Sequence, residues 1–390
     1  MTNDTIALPA GSAVLLAATL PKSSASARER DFVVGLESIR GLAALSVALF
    51  HSFHLLPVDG IRVYDRTLWN VPSFDGLLMR LIMIPFNGGA AVSLFFVLSG
   101  FVLALSLRRD NRTLAWKASA FVSRRFFRIY PTLAINVGLF AVVIVVIATY
   151  FPLIPVSPLL PSQVVTNLLL KDFPVNGATW SLMIELVAIP FLFFGYCIAR
   201  RWGVSGLVML ILLSIVTLFS PKLAFRTLIG DFVFMFFIGM LVAEIWMRKL
   251  LSLNKKTARI GIIAAIAVML SARFVFGYWS KWSLLFEGFA SAALIAALVL
   301  GPRFALHDVL EMKPLRFLGR ISYSYYLYHP LALGVFVPTL TILVSPSWLQ
   351  AHPFLGSAAI AITTVGATIS LGYASFVLTE KPMIRVSRRF

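Results

Sequence analysis

Ten apolar segments of membrane-spanning length follow one another along most of the chain, and they limit it to one class of fold. A helix of about 20 apolar residues crosses the hydrocarbon core of a bilayer, and in lipid such a segment must satisfy its own backbone hydrogen bonds. The sequence therefore predicts an all-α integral membrane protein, with tight helical hairpins near residues 201 and 280. The predicted spans are residues 33–56, 88–107, 132–150, 181–198, 203–219, 228–247, 258–276, 283–300, 322–344 and 354–378.

The composition agrees with a membrane protein and excludes a soluble fold. Of the 390 residues, 59% are hydrophobic and 13% are charged, and the formal net charge is +18. In a soluble protein this charge would suggest nucleic acid. Here the basic residues occupy short connections between apolar segments, so we expect membrane lipid and no nucleic acid as a partner. The single cysteine, Cys197, offers neither a disulfide framework nor a cysteine metal site, and no metal is expected.

The basic residues also predict the orientation. With the N-terminus in the cytoplasm, 25 of the 34 Lys and Arg residues fall on that side and 8 in the opposite loops, while Arg40 lies inside the first helix. The positive-inside rule then places both termini in the cytoplasm. We expect residues 1–31 to be a disordered or interfacial tail, residues 32–380 to be one transmembrane domain, and residues 381–390 to be a basic cytoplasmic tail.

The first span carries an arginine and a histidine on one face. Arg40 and His51 are eleven residues apart, which at ~100° and ~1.5 Å per residue places them on one side of a helix, about 16 Å apart along its axis. A titratable group inside a membrane segment is costly unless it faces a partner or a cavity, which favours a functional role. The alternative is an arginine that extends to the headgroups and a histidine that bonds a neighbouring helix.

The fourth span opens with Trp180 and Ser181 and carries Glu185. Ser181 and Glu185 are four residues apart, so we expect the hydroxyl to bond the carboxylate. Because the first helix runs outward and the fourth runs inward, His51 and Glu185 should reach a similar depth and form a histidine–carboxylate pair. Other acidic residues of the apolar segments lie nearer helix ends and are expected at the interface: Asp231, Glu244 and Glu287.

Two further polar segments are candidates for binding. The connection after the second span contains Arg124, Arg125 and Arg128, and guanidinium groups bind phosphate oxygens bidentately. Alternatively, these arginines pair with anionic lipid headgroups and only fix the orientation of the helices in the membrane. The ninth span begins with a polar stretch of two serines and four tyrosines, one of which is Tyr326. This stretch ends at His329. It could line a wet cleft or form an interfacial aromatic belt, and the proline after His329 favours a kink there.

These segments together resemble the membrane-bound acyltransferase 3 family. The resemblance rests on the Arg40-to-His51 spacing, on Phe-Phe-Val-Leu-Ser-Gly-Phe around Ser99, and on the Arg-Ile-Tyr-Pro ending of the basic segment. It also rests on Trp-Ser-Leu-x-x-Glu ending at Glu185 and on Ser-Tyr-Ser-x-Tyr-Leu-x-His ending at His329. Where many relatives carry a further Glu-Gln-Phe-Tyr, this chain has Leu-Val-Ala-Ile-Pro, which puts a second acid in doubt.

The resemblance implies an O-acyltransferase of the plasma (inner) membrane. Its donor would be cytoplasmic acyl-CoA, with acetyl-CoA expected, and its acceptor a hydroxyl of an exported or cell-surface glycan or glycolipid. His51 would act as general base or transient acyl carrier, Glu185 would orient it, and Arg40 would steer the pantetheine end of the donor inward. The phosphates would lie on the three arginines of the basic segment. The cleft would be lined by Ser99, Trp180, Ser181, Tyr326 and His329.

The residues alone leave two other classes of function open. A proton-coupled transporter or flippase could use the intramembrane His51 and Glu185 as a proton relay. A structural membrane scaffold would tolerate substitution of these residues.

Overall fold

The computed structural model describes residues 27–56, 58, 64, 71, 73–154, 156–220 and 228–390, with the backbone alone for helical residues 27–34 and 228. Every regular element in these ranges is a helix. The helices are α1 (Ala27–His54), α2 (Phe74–Met83), α3 (Gly88–Arg109), α4 (Leu114–Tyr150), α5 (Pro161–Leu168), α6 (Trp180–Phe219), α7 (Leu228–Met247), α8 (Lys255–Phe276), α9 (Lys281–Leu300), α10 (Ala305–Leu310), α11 (Lys313–Leu343), α12 (Pro346–Ala351), α13 (Pro353–Ser375) and α14 (Lys381–Ser387). The expected tail at residues 1–31 lies outside the described residues, except for its last five, which begin α1.

Asparagine and serine side chains begin several of these helices. Asn87, Asn254 and Ser280 each accept a hydrogen bond from a backbone N–H in the first turn of α3, α8 and α9. Such caps satisfy donors that have no partner inside the helix. Turns of other geometry also occur in the part of the chain that the structure describes: a 3₁₀ turn, Gly177–Thr179, leads into α6, and a π-helical turn, Phe376–Glu380, joins α13 to α14.

Eight segments of the described chain are long and apolar enough to cross a membrane, as expected for a multi-pass membrane protein. Each predicted span except 33–56 lies, to within one residue, in one of them, and the spans 181–198 and 203–219 fall together in Gly177–Phe219. The span 33–56 corresponds to α1, which is not among the eight. Ten helices and cytoplasmic termini therefore stay predictions.

Both predicted hairpins are present. Gly203 has φ of 60° inside α6, and a Cβ on Gly206 would lie 2.7 Å from the Ile198 side chain. Residues eight apart in one continuous helix are separated by about 12 Å along the axis, so the chain folds back at Gly203. Only four residues separate α8 from α9, and the Leu253 N–H before α8 donates to the Leu300 carbonyl at the end of α9 (2.9 Å). These two helices are therefore antiparallel.

The arginine-rich segment is helical, contrary to the expected loop. It forms the first turns of α4, whose 37 residues span about 55 Å and exceed the ~30 Å hydrocarbon core. Its buried positions recur every four residues: Lys117, Phe121, Arg125, Ile129 and Leu133. One face of α4 thus packs on the protein along the whole basic segment. In the sequence, Phe121, Ile129 and Leu133 follow this spacing, but charged Lys117 and Arg125 on the same face conceal it.

α1 packs extensively against α11 and also contacts α13. A Cβ on Gly41 of α1 would lie 2.5 Å from the Gly319 nitrogen of α11, so the two backbones touch where the helices cross. Glycine at such crossings is typical of membrane helices, where close backbone contact replaces the hydrophobic driving force. The crossing brings the second half of α1, with His51, alongside the second half of α11.

Candidate functional site

His51 and His329 form a hydrogen-bonded pair that joins α1 to α11. His51 Nδ1 lies 3.1 Å from His329 Nε2, and the two rings stack with their centroids 5.1 Å apart and their planes 19° from parallel. The residues are 278 positions apart in the chain. The histidine of the first span therefore finds its partner on α11, and not in the carboxylate of α6.

Pro330 determines which nitrogens of this pair carry hydrogen. Proline has no N–H, so it leaves the Tyr326 carbonyl, one turn earlier on α11, without its helical donor. His329 Nδ1 lies 2.6 Å from that carbonyl oxygen. Because a carbonyl only accepts, Nδ1 of His329 donates, and Nε2 of the neutral ring accepts from His51 Nδ1. The Nε2 atom of His51 then keeps its lone pair, as a general base requires.

The histidine pair lies in the wall of a large cavity of about 1130 Å³. Trp180 and Tyr326 of the predicted cleft also line this outer cavity, together with Arg273 and Tyr278. Burial raises the pKa of the Tyr278 phenol to about 12, so this hydroxyl is protonated at neutral pH. The outer cavity thus combines the histidine pair with aromatic and polar groups.

A second, smaller cavity of about 40 Å³ lies behind Tyr326, which lines both spaces. Arg40, Arg128, Ser181 and Glu185 line this inner cleft. The Ser181 hydroxyl donates to the Tyr326 oxygen at 3.0 Å, so a hydrogen bond between α6 and α11 stands between the two spaces.

Glu185 is the centre of a cluster of arginines in the inner cleft. Its Oε1 accepts from the Ser99 hydroxyl at 2.7 Å, and its Oε2 lies 3.5 Å from Arg125 Nη2. Arg40 and Arg128 also interact with it electrostatically. The Nε and Nη2 groups of buried Arg125 have no hydrogen-bond partner among the described residues. Among these residues, Nη2 is therefore held only by the 3.5 Å ion pair with Glu185, and an unpaired buried donor such as Nε is costly.

The predicted bond between Ser181 and Glu185 is wrong. The two residues do share a face of α6, but Ser181 donates to Tyr326 and to the Ala178 carbonyl (3.1 Å), while Glu185 is bonded by Ser99. Neighbouring helices offer each group a better partner than the other member of its own helix.

The predicted pairing of His51 with Glu185 is also wrong, and its cause is a difference in depth. Trp180, at the start of α6, lines the outer cavity with His51, whereas Glu185 lines the inner cleft with Arg40. Five residues of helix separate Trp180 from Glu185, or about 7 Å. Glu185 therefore lies at the level of the arginine of α1, not at that of the histidine.

The structure separates the three arginines of the basic segment. Arg128 lines the inner cleft, and Arg125 lies against Glu185. Arg124 instead pairs with Asp110 at 3.2 Å, outside both cavities. Asp110 also binds Arg112 at 2.7 Å, and these hydrogen bonds, chiefly that from Arg112, hold the pKa of its carboxyl well below the usual range.

Comparison with known proteins identifies the family. Residues 33–373 match the family model of the acyltransferase 3 acyltransferase domain. The chain belongs to the acyltransferase 3 family. The match includes both cavities and both histidines of the pair. No curated protein and no solved structure gave a match. With its apolar helices, the protein is a membrane acyltransferase.

One buried acid of this acyltransferase was not predicted as part of the site. Glu380, just beyond the residues that match the family, is buried and accepts a hydrogen bond from Ser324 at 2.7 Å. It also interacts electrostatically with Arg40 and Arg128. The π-helical turn Phe376–Glu380 places it there, and such turns often occur at functional sites. The only sequence signal is an acid that ends the last apolar segment.

Two of the three acids that the sequence predicts at the interface are buried inside the protein and paired with arginine. Glu287 is fully buried, pairs with Arg273 at 2.7 Å and accepts from Ser93 at 3.0 Å. Glu244 is buried in an ion pair on its own helix. Asp231 is 40% exposed, so it alone has the accessibility of an interfacial residue.

Proposed function

We propose that this membrane acyltransferase moves an acetyl group from cytoplasmic acetyl-CoA to a hydroxyl of an exported or cell-surface glycan or glycolipid. It would act in the plasma (inner) membrane with both termini in the cytoplasm. The observation that carries the proposal is the His51–His329 pair in the wall of the outer cavity, with the arginine-lined inner cleft directly behind Tyr326. Two substrates that approach from opposite sides of the membrane need this order of groups.

His51 supplies the base. Its Nε2 takes the proton of the acceptor hydroxyl, and the oxygen attacks the carbonyl carbon of the thioester. The carbon–sulfur bond breaks, and the His51 imidazolium returns the proton to the departing thiolate. His329 accepts from Nδ1 throughout and so stabilises the charged ring. If His51 is instead a transient acyl carrier, the same Nε2 lone pair attacks the thioester and the carbon–sulfur bond breaks, which releases the CoA thiolate. The acceptor hydroxyl then takes the acyl group from the ring, and its proton passes to the thiolate.

The arginines supply the donor site. CoA carries phosphates, and Arg40 and Arg128, which line the cleft, offer charge-assisted bonds to them, with Arg125 adding its charge from beside Glu185. Arg124 lies one helical turn before Arg128 and could add a phosphate contact by releasing Asp110. Glu185 has a different role from the one expected, because it holds the arginines in place and does not orient His51.

The thioester must reach His51 from the inner cleft, and the layer between the two cavities defines its path. Ser181, Trp180 and Tyr326 form this layer, so we assign them to the lining of the acyl path. Ser99 supports the same region by bonding Glu185. The proton-relay alternative has less support, because the described contacts join His51 to His329 and Glu185 to Ser99 and Arg125.

The test is transfer of radiolabel from [14C]acetyl-CoA in membranes that contain equal amounts of wild type, His51→Ala or His352→Ala, followed by extraction of glycans and glycolipids. Exposed His352 ends α12 away from both cavities, so its variant controls for the loss of a histidine. We expect label with wild type and His352→Ala and a loss of about 100-fold or more with His51→Ala. Equal label with His51→Ala would refute its role, and no label with any of the three would refute acetyl-CoA as donor.

A further inference from the structure

Two helix faces beside the histidine pair are apolar and oppose each other across the outer cavity. On each helix four of the lining residues are spaced by three, one and three positions, which is one face of a helix over two turns. These are Phe140, Val143, Ile144 and Ile147 of α4 and Gly334, Val337, Pro338 and Thr341 of α11, where Leu333 and Val335 also line the cavity. We call the space between these two faces the apolar slot. Seven residues of rise make each face about 10 Å long.

The slot exists because α4 and α11 are joined at one level and separate beyond it. The Tyr323 hydroxyl donates to the Ile129 carbonyl at 3.0 Å, and Asn136 Nδ2 donates to the Leu327 carbonyl at 3.1 Å. After these contacts both helices continue in the same direction, away from the arginines, and their facing residues line the cavity. A Cβ on Gly334 would have only the Phe140 ring within 4 Å, the nearest atom at 3.8 Å.

The slot begins at the histidine pair, and the rest of the cavity has a different character. Pro330, directly after His329, lines the cavity, and it is the first of the α11 residues beyond the histidine pair to do so. On the α1 side, Phe50 stacks on Tyr278 at 5.5 Å, and Trp279 beside it lines the cavity while 77% exposed. One cavity thus has an aromatic, polar end and an apolar slot, with the proposed base between them.

We propose that the apolar slot binds the hydrocarbon chain of a lipid-linked acceptor, whose polar head occupies the aromatic end and presents a hydroxyl to His51. This inference rests on the proposed function and names the acceptor as a glycolipid. A water-soluble glycan would leave the slot without a ligand. The slot belongs to the acceptor and not to the acyl donor, because the arginines that suit an anionic donor lie on the opposite side of Tyr326.

The test is photolabelling by a dodecyl β-glucoside with a diazirine at the end of its chain. Full-length protein in phosphatidylcholine nanodiscs is irradiated with this probe, and labelled peptides are identified by mass spectrometry. Gly334→Leu fills the slot. Gly138→Leu adds the same side chain to α4 at a position where a Cβ would meet nothing within 4 Å, so it is the matched control.

We expect label on the slot residues of α4 and α11, at least fivefold less in Gly334→Leu, and no change in Gly138→Leu. Unlabelled dodecyl β-glucoside should compete, and methyl β-glucoside and palmitoyl-CoA should not. Equal labelling of the two variants, or label spread evenly over the lipid-facing side of α4, would overturn the proposal in favour of bulk lipid. Displacement by palmitoyl-CoA would assign the slot to the acyl donor.

This assay separates the two proposals. Photolabelling needs no acyl transfer, so the slot can be confirmed even if the proposed acetyl transfer fails. Conversely, if radiolabel from acetyl-CoA enters only water-soluble glycans and none is found in the lipid extract, the slot proposal is wrong and the proposed acetyl transfer stands.

Discussion

Substitution of His329 by asparagine or glutamine separates the two hydrogen bonds of its ring. An asparagine amide nitrogen can replace Nδ1, and a glutamine amide oxygen can replace Nε2. His329→Asn therefore keeps the bond to the Tyr326 carbonyl and loses the acceptor for His51, whose ring nitrogen lies 3.1 Å away. His329→Gln keeps that acceptor and loses the bond to Tyr326.

The size of the effect follows from the charge on His51 during transfer. A hydrogen bond to a charged group contributes about 1.5–3 kcal/mol, which is roughly a 10- to 150-fold change in rate. His329→Asn should lower kcat by this factor, because the bond to His51 is strongest when that ring is an imidazolium. KM for acetyl-CoA should change little, since the substitution removes less stabilisation from the bound ground state than from the transition state. His329→Gln should retain most of the wild-type kcat.

The assay is the initial rate of label transfer from [14C]acetyl-CoA in membranes, measured over a range of donor concentrations and divided by the amount of protein. Thermal unfolding of the solubilised variants provides the control, because both substitutions should leave the protein folded. A wild-type rate for His329→Asn, or an equal loss in both variants at unchanged thermal stability, would refute the positioning role of His329.

Three other predictions concern the donor site, the helix crossing and the charge network outside the membrane. Arg128→Ala should raise KM for acetyl-CoA about 10-fold or more with little change in kcat, because a charge-assisted bond to phosphate is lost from the bound state; an unchanged KM in donor titrations would contradict this. Gly319→Ala should destabilise the protein by about 1–3 kcal/mol, since the new Cβ would overlap the backbone of α1. Thermal unfolding of Gly319→Ala should show a lower Tm than that of the wild type. Gly366→Ala, whose Cβ would meet nothing within 4 Å, should keep the wild-type Tm. Asp110→Asn should lower the Tm at neutral pH, and the difference in Tm from wild type should shrink as the pH falls below about 4. The carboxyl bonded by Arg112 has a lower pKa in the folded than in the unfolded protein, so it stabilises the fold only when it is ionised. A difference in Tm that persists at low pH would exclude the ion pair as its cause.

Parts of the site were accessible to sequence reasoning, because intramembrane polar groups are rare enough to be informative. Arg40, His51, Glu185 and His329 stand out in apolar segments, and the structure places all four in the walls of two adjacent cavities. Their pairing was not accessible. The bond from His329 to the Tyr326 carbonyl follows from Pro330 once the helix is known, but nothing local indicates that its other nitrogen meets α1.

Other errors have the same origin in local reasoning. Ser181 and Glu185 satisfy the four-residue rule for a helix face, yet their partners come from other helices. Glu380 and Glu287 look like acids near helix ends, but the packing of other helices buries them. The charge of the basic segment favours a connecting loop, although its buried residues recur at helical spacing.

The all-helical membrane architecture and the two hairpins follow from the sequence, because length, apolar content and glycine or proline positions act within a single segment. Which polar groups meet depends on the tertiary structure. Ser99 and Glu185 are 86 residues apart, and His51 and His329 are 278 apart. Such contacts depend on helix crossings such as that of Gly41 with Gly319, where backbone contact sets the depth of one helix against another. A difference in depth of five residues, or about 7 Å along α6, keeps Glu185 from pairing with His51 and places the two side chains in different cavities.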